Sequence, residues 1–571
     1  MTEIKSRSRG FTQAVILALA LGGVSATVPA PAFADAGSYL ATRQATIDRD
    51  LRALSQYATR FLVGDPTNPD LLEAAISGYI SLGDFEAVKG YAIALEAAQP
   101  GNQIAAMATL TNLALEEKYA DIVVALDAGQ GVSPIVDTLL RAWALVGTGD
   151  MSAALDVFDQ TGQIGQGFEF FGPYNKALAV AYVGDYEAGA DILSKAGDIG
   201  TRTAVIARIQ MLSQLERSDE ALALMESAFG PKRDPEIEAY HAKLVAGEAI
   251  PFDVVRSARD GIADVFHSVA VALDGGLDDS YVLLYARVAQ ELRPEKEAYP
   301  LFVARLLEKM SNFDLATEAY ETIPAESAFY PMAELGRAEA LRAAGKGDAE
   351  IEVLKQLAKS RADNSEVHVV LGDVMRRNSR YEEAIAAYTD ALALMESDDA
   401  AAWPLYFTRG IAYERSDQWP EAEADLRRAL ALQPGQAQVL NYLGYSFLER
   451  RENYDEAMQM IRAAVAARPD DGYITDSLGW GLYRIGKFEE AVEPMERAAE
   501  LLPVDPIIND HLGDVYWAVG REREAMFQWH RAQSFDPEPE DAERIRRKIE
   551  VGLDRVLIEE GEAPTRTPND G

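Results

Sequence analysis

Near the C-terminal third of this chain, Ile474, Leu478, Leu482 and Ile485 recur at three- and four-residue spacing and stop at Gly486. That recurrence puts them on one face of a helix, and a glycine just past the last turn favours the left-handed backbone that ends one. The stretch Trp480 to Ala491, WGLYRIGKFEEA, therefore predicts a helix, a tight turn and a second helix. It also contains Gly481-x-x-x-x-Gly486-Lys487, most of a phosphate-binding loop. Such a loop follows a strand and ends in Lys-Ser or Lys-Thr. Here a helical pattern precedes it and Phe488 replaces the hydroxyl. Gly486-Lys487 reads as a turn between helices, not as a nucleotide site.

The same spacing of small and bulky residues returns along the chain. Gly410, Tyr413, Ala422, Leu426, Ala429 and Pro434 form one set, and Gly444, Phe447, Ala457, Ile461, Ala464 and Pro469 a second, with one extra residue in its turn. Gly479, Leu482, Ala491, Met495, Ala498 and Pro503 form a third; Gly513, Tyr516, Ala525, Trp529, Ala532 and Pro537 a fourth. Successive first glycines are 34, 35 and 34 residues apart, and Gly372 opens a unit 38 residues before Gly410. Glycine and alanine at a helix crossing let two antiparallel helices approach, while a bulky residue such as Trp529 fills the space beside them. Proline follows each second helix because it cannot continue one.

A period of 34 residues with these residue types resembles the tetratricopeptide repeat, a helix–turn–helix unit. Weaker traces lie upstream: Pro66 and Pro100 with Tyr79 and Gly83 between them, then Ala142, Gly149, Ala154 and Phe158, then Ala177 and Gly184, then Ala221, Met225 and Ala228. Ala304, Ala316, Tyr320 and Gly336 follow an irregular stretch. The resemblance implies an all-α, right-handed superhelical solenoid of antiparallel helix pairs, because such units cannot bury their apolar faces alone. The expected organisation is a signal peptide (1–34), degenerate repeats (35–230), an irregular segment with divergent repeats (231–364), regular repeats (365–537), and a capping helix with a disordered tail (538–571). The cap carries Ile545, Ile549, Leu553 and Val556 on one face, and the tail is Glu559 to Gly571.

In arrays of this family, positions 2, 5, 9 and 12 of each first helix line a concave groove. Here they are Phe407; Asn441, Tyr445 and Leu448; Tyr473, Asp476, Trp480 and Tyr483; and Asp510, Asp514 and Trp517. With burial assigned to the other helix positions, aromatics beside carboxylates form an exposed surface suited to a protein or peptide ligand, a basic or apolar segment. Packing of each aromatic against the next repeat is the other reading. Family members that capture a C-terminal carboxylate use Lys, Arg and Asn on this face; Asn441 fits, but Asp476 and Asp510 depart from that pattern. The C-terminal hundred residues also look like exported bacterial repeat proteins related to the lipoprotein adaptor of a C-terminal processing protease, which implies a scaffold in envelope assembly or proteolysis.

Charge and chemistry narrow the picture further. A net charge of −38 over 571 residues argues against nucleic acid, which needs clustered Lys and Arg. Lys5, Arg7 and Arg9 precede an apolar run and Ala32–Ala34 supplies small residues for cleavage, so export to the periplasm with cleavage after Ala34 is expected. There is no cysteine, hence no disulfide framework and no thiol for a lipid anchor. The five histidines, His241, His267, His368, His511 and His530, show no metal-ligand spacing, and no nucleophile elbow or dinucleotide fingerprint is present. No catalytic residue, metal or cofactor is assigned. A cell-wall hydrolase or other enzyme with a site built across repeats, and a purely structural assembly subunit, remain the alternatives to a scaffold.

Overall fold

Three of the regular repeats begin with a side chain that satisfies a free backbone N–H group of the first helix. Asn364, Asp471 and Asp505 accept from the backbone of Val367, Ile474 and Ile508, at 3.3, 3.2 and 3.0 Å. Where the first helix ends, Gly486 and Gly520 adopt φ of +77° and +83°. The repeat with the extra turn residue has no glycine there and places both Arg451 and Asn453 in the left-handed region instead. The helix crossings are as close as the pattern predicts. A Cβ on Gly479 would lie 2.4 Å from the sulfur of Met495, and one on Gly513 2.4 Å from the indole nitrogen of Trp529.

The computed structural model describes residues 36–165, 167–196, 201–231, 233–396 and 398–565. The expected signal peptide, 1–34, and the end of the tail lie outside the described residues. Among the described residues the secondary structure is helical with no strand. The chain divides into two compact units, Met1–Ile323 and Pro324–Gly571, so the division falls inside the segment 231–364.

In the second unit the helices pair in chain order. The last four pairs are Trp403–Arg415 with Trp419–Leu432, Ala437–Glu449 with Tyr454–Ala467, Gly472–Arg484 with Phe488–Leu501, and Pro506–Ala518 with Glu522–Ser534. Ala422, Leu426, Leu443, Phe447, Ile461, Met495 and Trp529 are sealed between the pairs. The terminal segment differs from one continuous capping helix. Pro539–Val551 ends at Gly552 (φ +82°, ψ +157°), and Leu553–Glu559 is a separate helix. Ile545 therefore belongs to the first of these helices, and Leu553 and Val556 to the second. The stretch after Glu559 also departs from expectation as far as it is described. Glu560 pairs with Arg544 at 2.8 Å, and Thr565 donates through its backbone and hydroxyl to Asp554 at 2.7 and 2.8 Å.

The first unit starts as helix pairs, among them Pro69–Leu82 with Phe85–Ala98 and Pro134–Thr148 with Met151–Phe158. Two later helices, Ala258–Leu273 and Asp279–Leu292, pack back against Pro134–Thr148 and Pro69–Leu82 respectively. Gly261 makes the first of these contacts feasible, because a Cβ there would sit 2.2 Å from the indole of fully buried Trp143. The irregular stretch before Ala258 is tied down by polar side chains: the buried guanidinium of Arg293 donates to the carbonyls of Asp253 and Val254, and Ser213 accepts from the backbone of Ile250.

Candidate functional site: the concave row of the second unit

The eleven positions expected to line a groove fall into three environments. Tyr473, at the start of its helix, is 61% exposed. Phe407, Asn441, Tyr445 and Trp517 are half-buried. Leu448, Asp476, Trp480, Tyr483, Asp510 and Asp514 are buried, which overturns the expectation that burial would fall to the other helix positions. The cause is twofold. First helices of neighbouring repeats touch one another along this row, and the C-terminal segment lies over its far end.

The helix-to-helix contacts account for the middle of the row. Trp480 is sandwiched between Tyr483 (ring centroids 4.8 Å apart, interplanar angle 13°) and His511 (3.9 Å, 11°), and its indole donates to Glu449 at 3.0 Å. His511 in turn sits 3.1 Å from both carboxylate oxygens of Asp476. Burial works against a proton on this imidazole, but Asp476, with Asp510 and Asp514 behind it, outweighs burial and raises its pKa above the ordinary value. Leu448 fills the space opposite Gly481.

At the far end the aspartates are neutralised from within the chain. Lys548, with no exposed surface, lies 2.7 Å from Asp510 and 2.7 Å from both oxygens of Asp514. Trp529 donates its indole N–H to Asp514 at 2.9 Å, and Arg544 stands 3.7 Å from the same carboxylate. Trp517 donates to Asp554 at 2.8 Å, and Gly552 lies so near that indole that a Cβ would meet it at 2.5 Å. Asp476, Asp510 and Asp514 are thus paired groups, not free charges awaiting a basic ligand. Sequence reasoning missed Lys548, Arg544 and Asp554, because helical periodicity says nothing about which distant segment meets a face.

Phe407 and Tyr445 of the row remain partly buried, and so do Trp403, Tyr406, Tyr413 and Tyr442 at other positions of the same two helices. Phe407 and Tyr442 pack edge to face with centroids 5.8 Å apart. Arg409 lies 5.6 Å from the rings of Tyr406 and Tyr413 while its guanidinium holds Asp425 in a two-pronged pair at 2.7 and 2.9 Å. Burial pushes the hydroxyls of Tyr442 and Tyr445 up, so both are neutral donors at any physiological pH.

The first unit has a concavity of its own, about 490 Å³, lined by Arg49, Glu73, Asn102, Asp278 and Tyr281 among others. Its polar groups answer one another, Arg49 with Asp278 at 2.8 Å and Asn102 with Glu73 at 2.9 Å. No group of three or more His, Cys, Asp or Glu suited to a metal occurs among the described residues.

Residues 351–402 and 407–472 match the family described as Tetratricopeptide repeat. TPR repeat-containing protein PA4667 of Pseudomonas aeruginosa is 26% identical over 189 residues, 32% of this chain and 31% of that protein. The Lipoprotein NlpI homolog of Haemophilus influenzae is 38% identical over 88 residues, 15% of this chain and 28% of that one. The chain thus spans about a third or less of the length of these curated relatives. Among solved structures, that of MamA protein is 22% identical, with a TM-score of 0.28 over 31% of this chain and 93% of that one. The matched tetratricopeptide repeats lie in the second unit. Among the described residues no helix is long and apolar enough to cross a membrane.

Proposed function

We propose that this chain is a non-catalytic scaffold, exported to the periplasm, that holds an apolar segment of a protein partner in envelope assembly or proteolysis. The observation that carries the reading is the set of six half-buried aromatics on the adjacent helices Trp403–Arg415 and Ala437–Glu449. Tyr, Trp and Phe supply large contact area at small entropic cost and dominate the energetic centres of protein interfaces. A basic partner is the less favoured choice, because the aspartates that suggested it are already paired with Lys548, Arg544 and His511. The basic, apolar N-terminal stretch ending in Ala32–Ala34 supports export, and the sequence resemblance to protease adaptors makes a periplasmic protease the first partner class to try.

A photo-crosslinking residue placed in cells at Phe407 or Tyr445 should trap the same partner, and one at Phe527, 62% exposed on the outer helix, should not. Equal trapping at Phe527, or none at the aromatic row of a folded protein, would sink the groove. N-terminal sequencing of the exported form should begin at Asp35; Met1 there would refute cleavage.

A further inference from the structure

A cap for the last repeat needs only to cover the outer face of Glu522–Ser534, and Pro539–Val551 does that. The chain nevertheless continues. After the break at Gly552, residues Leu553 to Thr565 turn back over the concave row. Leu553 and Leu557 join the apolar cluster that holds Trp480, Tyr483 and Trp529, Asp554 takes the indole N–H of Trp517, and Glu562 reaches Arg451, two repeats before the last. Three glutamates of this strap each meet an arginine: Glu559 with Arg547 at 2.8 Å, Glu560 with Arg544 at 2.8 Å, and Glu562 with Arg451.

We propose that the floor beneath this strap is a second interaction surface, and that its partner is a short amphipathic helix with leucines on one face and carboxylates flanking them. The strap occupies that surface as a built-in competitor. The charge logic follows from what the floor would show once the strap lifts. Lys548 stays on the preceding helix and keeps Asp510 and Asp514 neutralised, so the acids are not what is uncovered. What is uncovered is an aromatic surface of Tyr483 and Trp517, edged by three arginines that have each lost a glutamate: Arg451, Arg544, which keeps Asp514 at 3.7 Å, and Arg547, which keeps Glu550 at 3.4 Å. An acidic apolar helix satisfies all of these groups, as the strap itself does; a basic one would face three arginines. The inference rests on the scaffold reading but concerns a different stretch of the row.

The test uses the full mature chain and a strap-open variant, Asp554→Ala with Leu557→Asp, which removes the indole acceptor and puts a charge on the buried face. The probe is a fluorescent peptide of residues 552–565, with a second peptide in which Glu559, Glu560 and Glu562 are lysine. The strap-open chain should bind the native peptide one to one, and about tenfold or more tighter than the unmodified chain, where the tethered strap competes at high effective concentration. The lysine peptide should bind about tenfold more weakly than the native one. Equal binding by the two chains, or equal binding of the two peptides, overturns the proposal. So does a strap-exchanged dimer of the unmodified chain in light scattering. If the variant misfolds, hydrogen exchange on the unmodified chain decides: strap amides that open before those of Pro539–Val551 support the proposal, and strap amides that open only with the whole unit overturn it. A strap that passes while Phe407 and Tyr445 trap nothing in cells would leave this surface standing and remove the aromatic groove; the reverse would remove the strap alone.

Discussion

Replacing Lys548 with methionine tests the account of the acidic end of the row. The ammonium has no exposed surface and is held by two carboxylates at 2.7 Å, of which Asp514 is itself almost completely buried. Removing one partner of a buried ion pair leaves the other as an uncompensated charge, at a cost of about 3–5 kcal/mol. Two features place the loss toward the lower end. Arg544 stays 3.7 Å from Asp514, and Trp529 still donates to it. Urea melts read by tryptophan fluorescence should show the loss, and hydrogen exchange should confine it to the region from Pro506 onward, because each repeat touches only its neighbours. The sign of the pH dependence is fixed. An unpaired buried carboxylate has its folded pKa raised, so the variant should regain stability as pH falls toward the ordinary carboxylate range. Adding Asp510→Leu and Asp514→Asn should recover most of the loss by removing the stranded charges. A single-variant loss below about 1 kcal/mol would mean that the pair behaves like an exposed one, and the burial argument would fail.

Gly479→Leu should cost about 1–3 kcal/mol or more, since even a Cβ there meets the buried Met495 at 2.4 Å; hydrogen exchange lost equally in both units would contradict a local wedge. Asp264→Asn probes the first unit, where burial lifts the pKa of Asp264 to about 6 against the pull of Tyr174, Arg293 and Lys296. Its ionised form costs stability above that pH, by about 3 kcal/mol for a shift of this size, so the variant should be more stable at pH 8. Burial, with Lys296 and Arg305, lowers His267 to about 4, so its contribution is lost as pH falls from its unfolded pKa through that value. Asp264→Asn should therefore expose an acid-side loss that the wild type partly cancels; thermal melts between pH 4 and 8 that stay parallel for the two chains would refute this.

The regular repeats were legible because their constraints are local. Gly479 and Gly513 are required by helix crossings between sequence neighbours, and Gly486 by a turn that closes within four residues. The period of 34 residues carries those requirements at fixed offsets, so reading them needs no knowledge of distant contacts. The first unit was harder. Its helix Asp279–Leu292 meets Pro69–Leu82 across some two hundred residues, and no periodicity encodes such a meeting. Trp143 and Gly261 belong together as surely as Gly513 and Trp529 do, but they sit at no repeating offset.

The site was legible as a face and misread as a surface. Helical spacing groups Trp480 with Tyr483, and Asp510 with Asp514 and Trp517, on one side of their helices, because that grouping depends only on 3.6 residues per turn. Whether a face is open depends on what lies opposite it. Opposite Asp510 and Asp514 lies Lys548, and opposite Trp517 lies Asp554, each more than thirty residues later in a segment whose own pattern suggested only a cap and a tail. The single clue in the sequence was Gly552: a glycine between Ile549 and Leu553 interrupts what would otherwise be one apolar stripe. At φ +82° it lets the chain leave the capping direction and cross the groove. Phe407 and Tyr445, which no such segment reaches, keep partial exposure, as does Trp517 at the edge of the segment. What distinguishes Phe407 and Tyr445 from Trp480 is not residue type but the ring of His511, which the next repeat stacks on it at 3.9 Å.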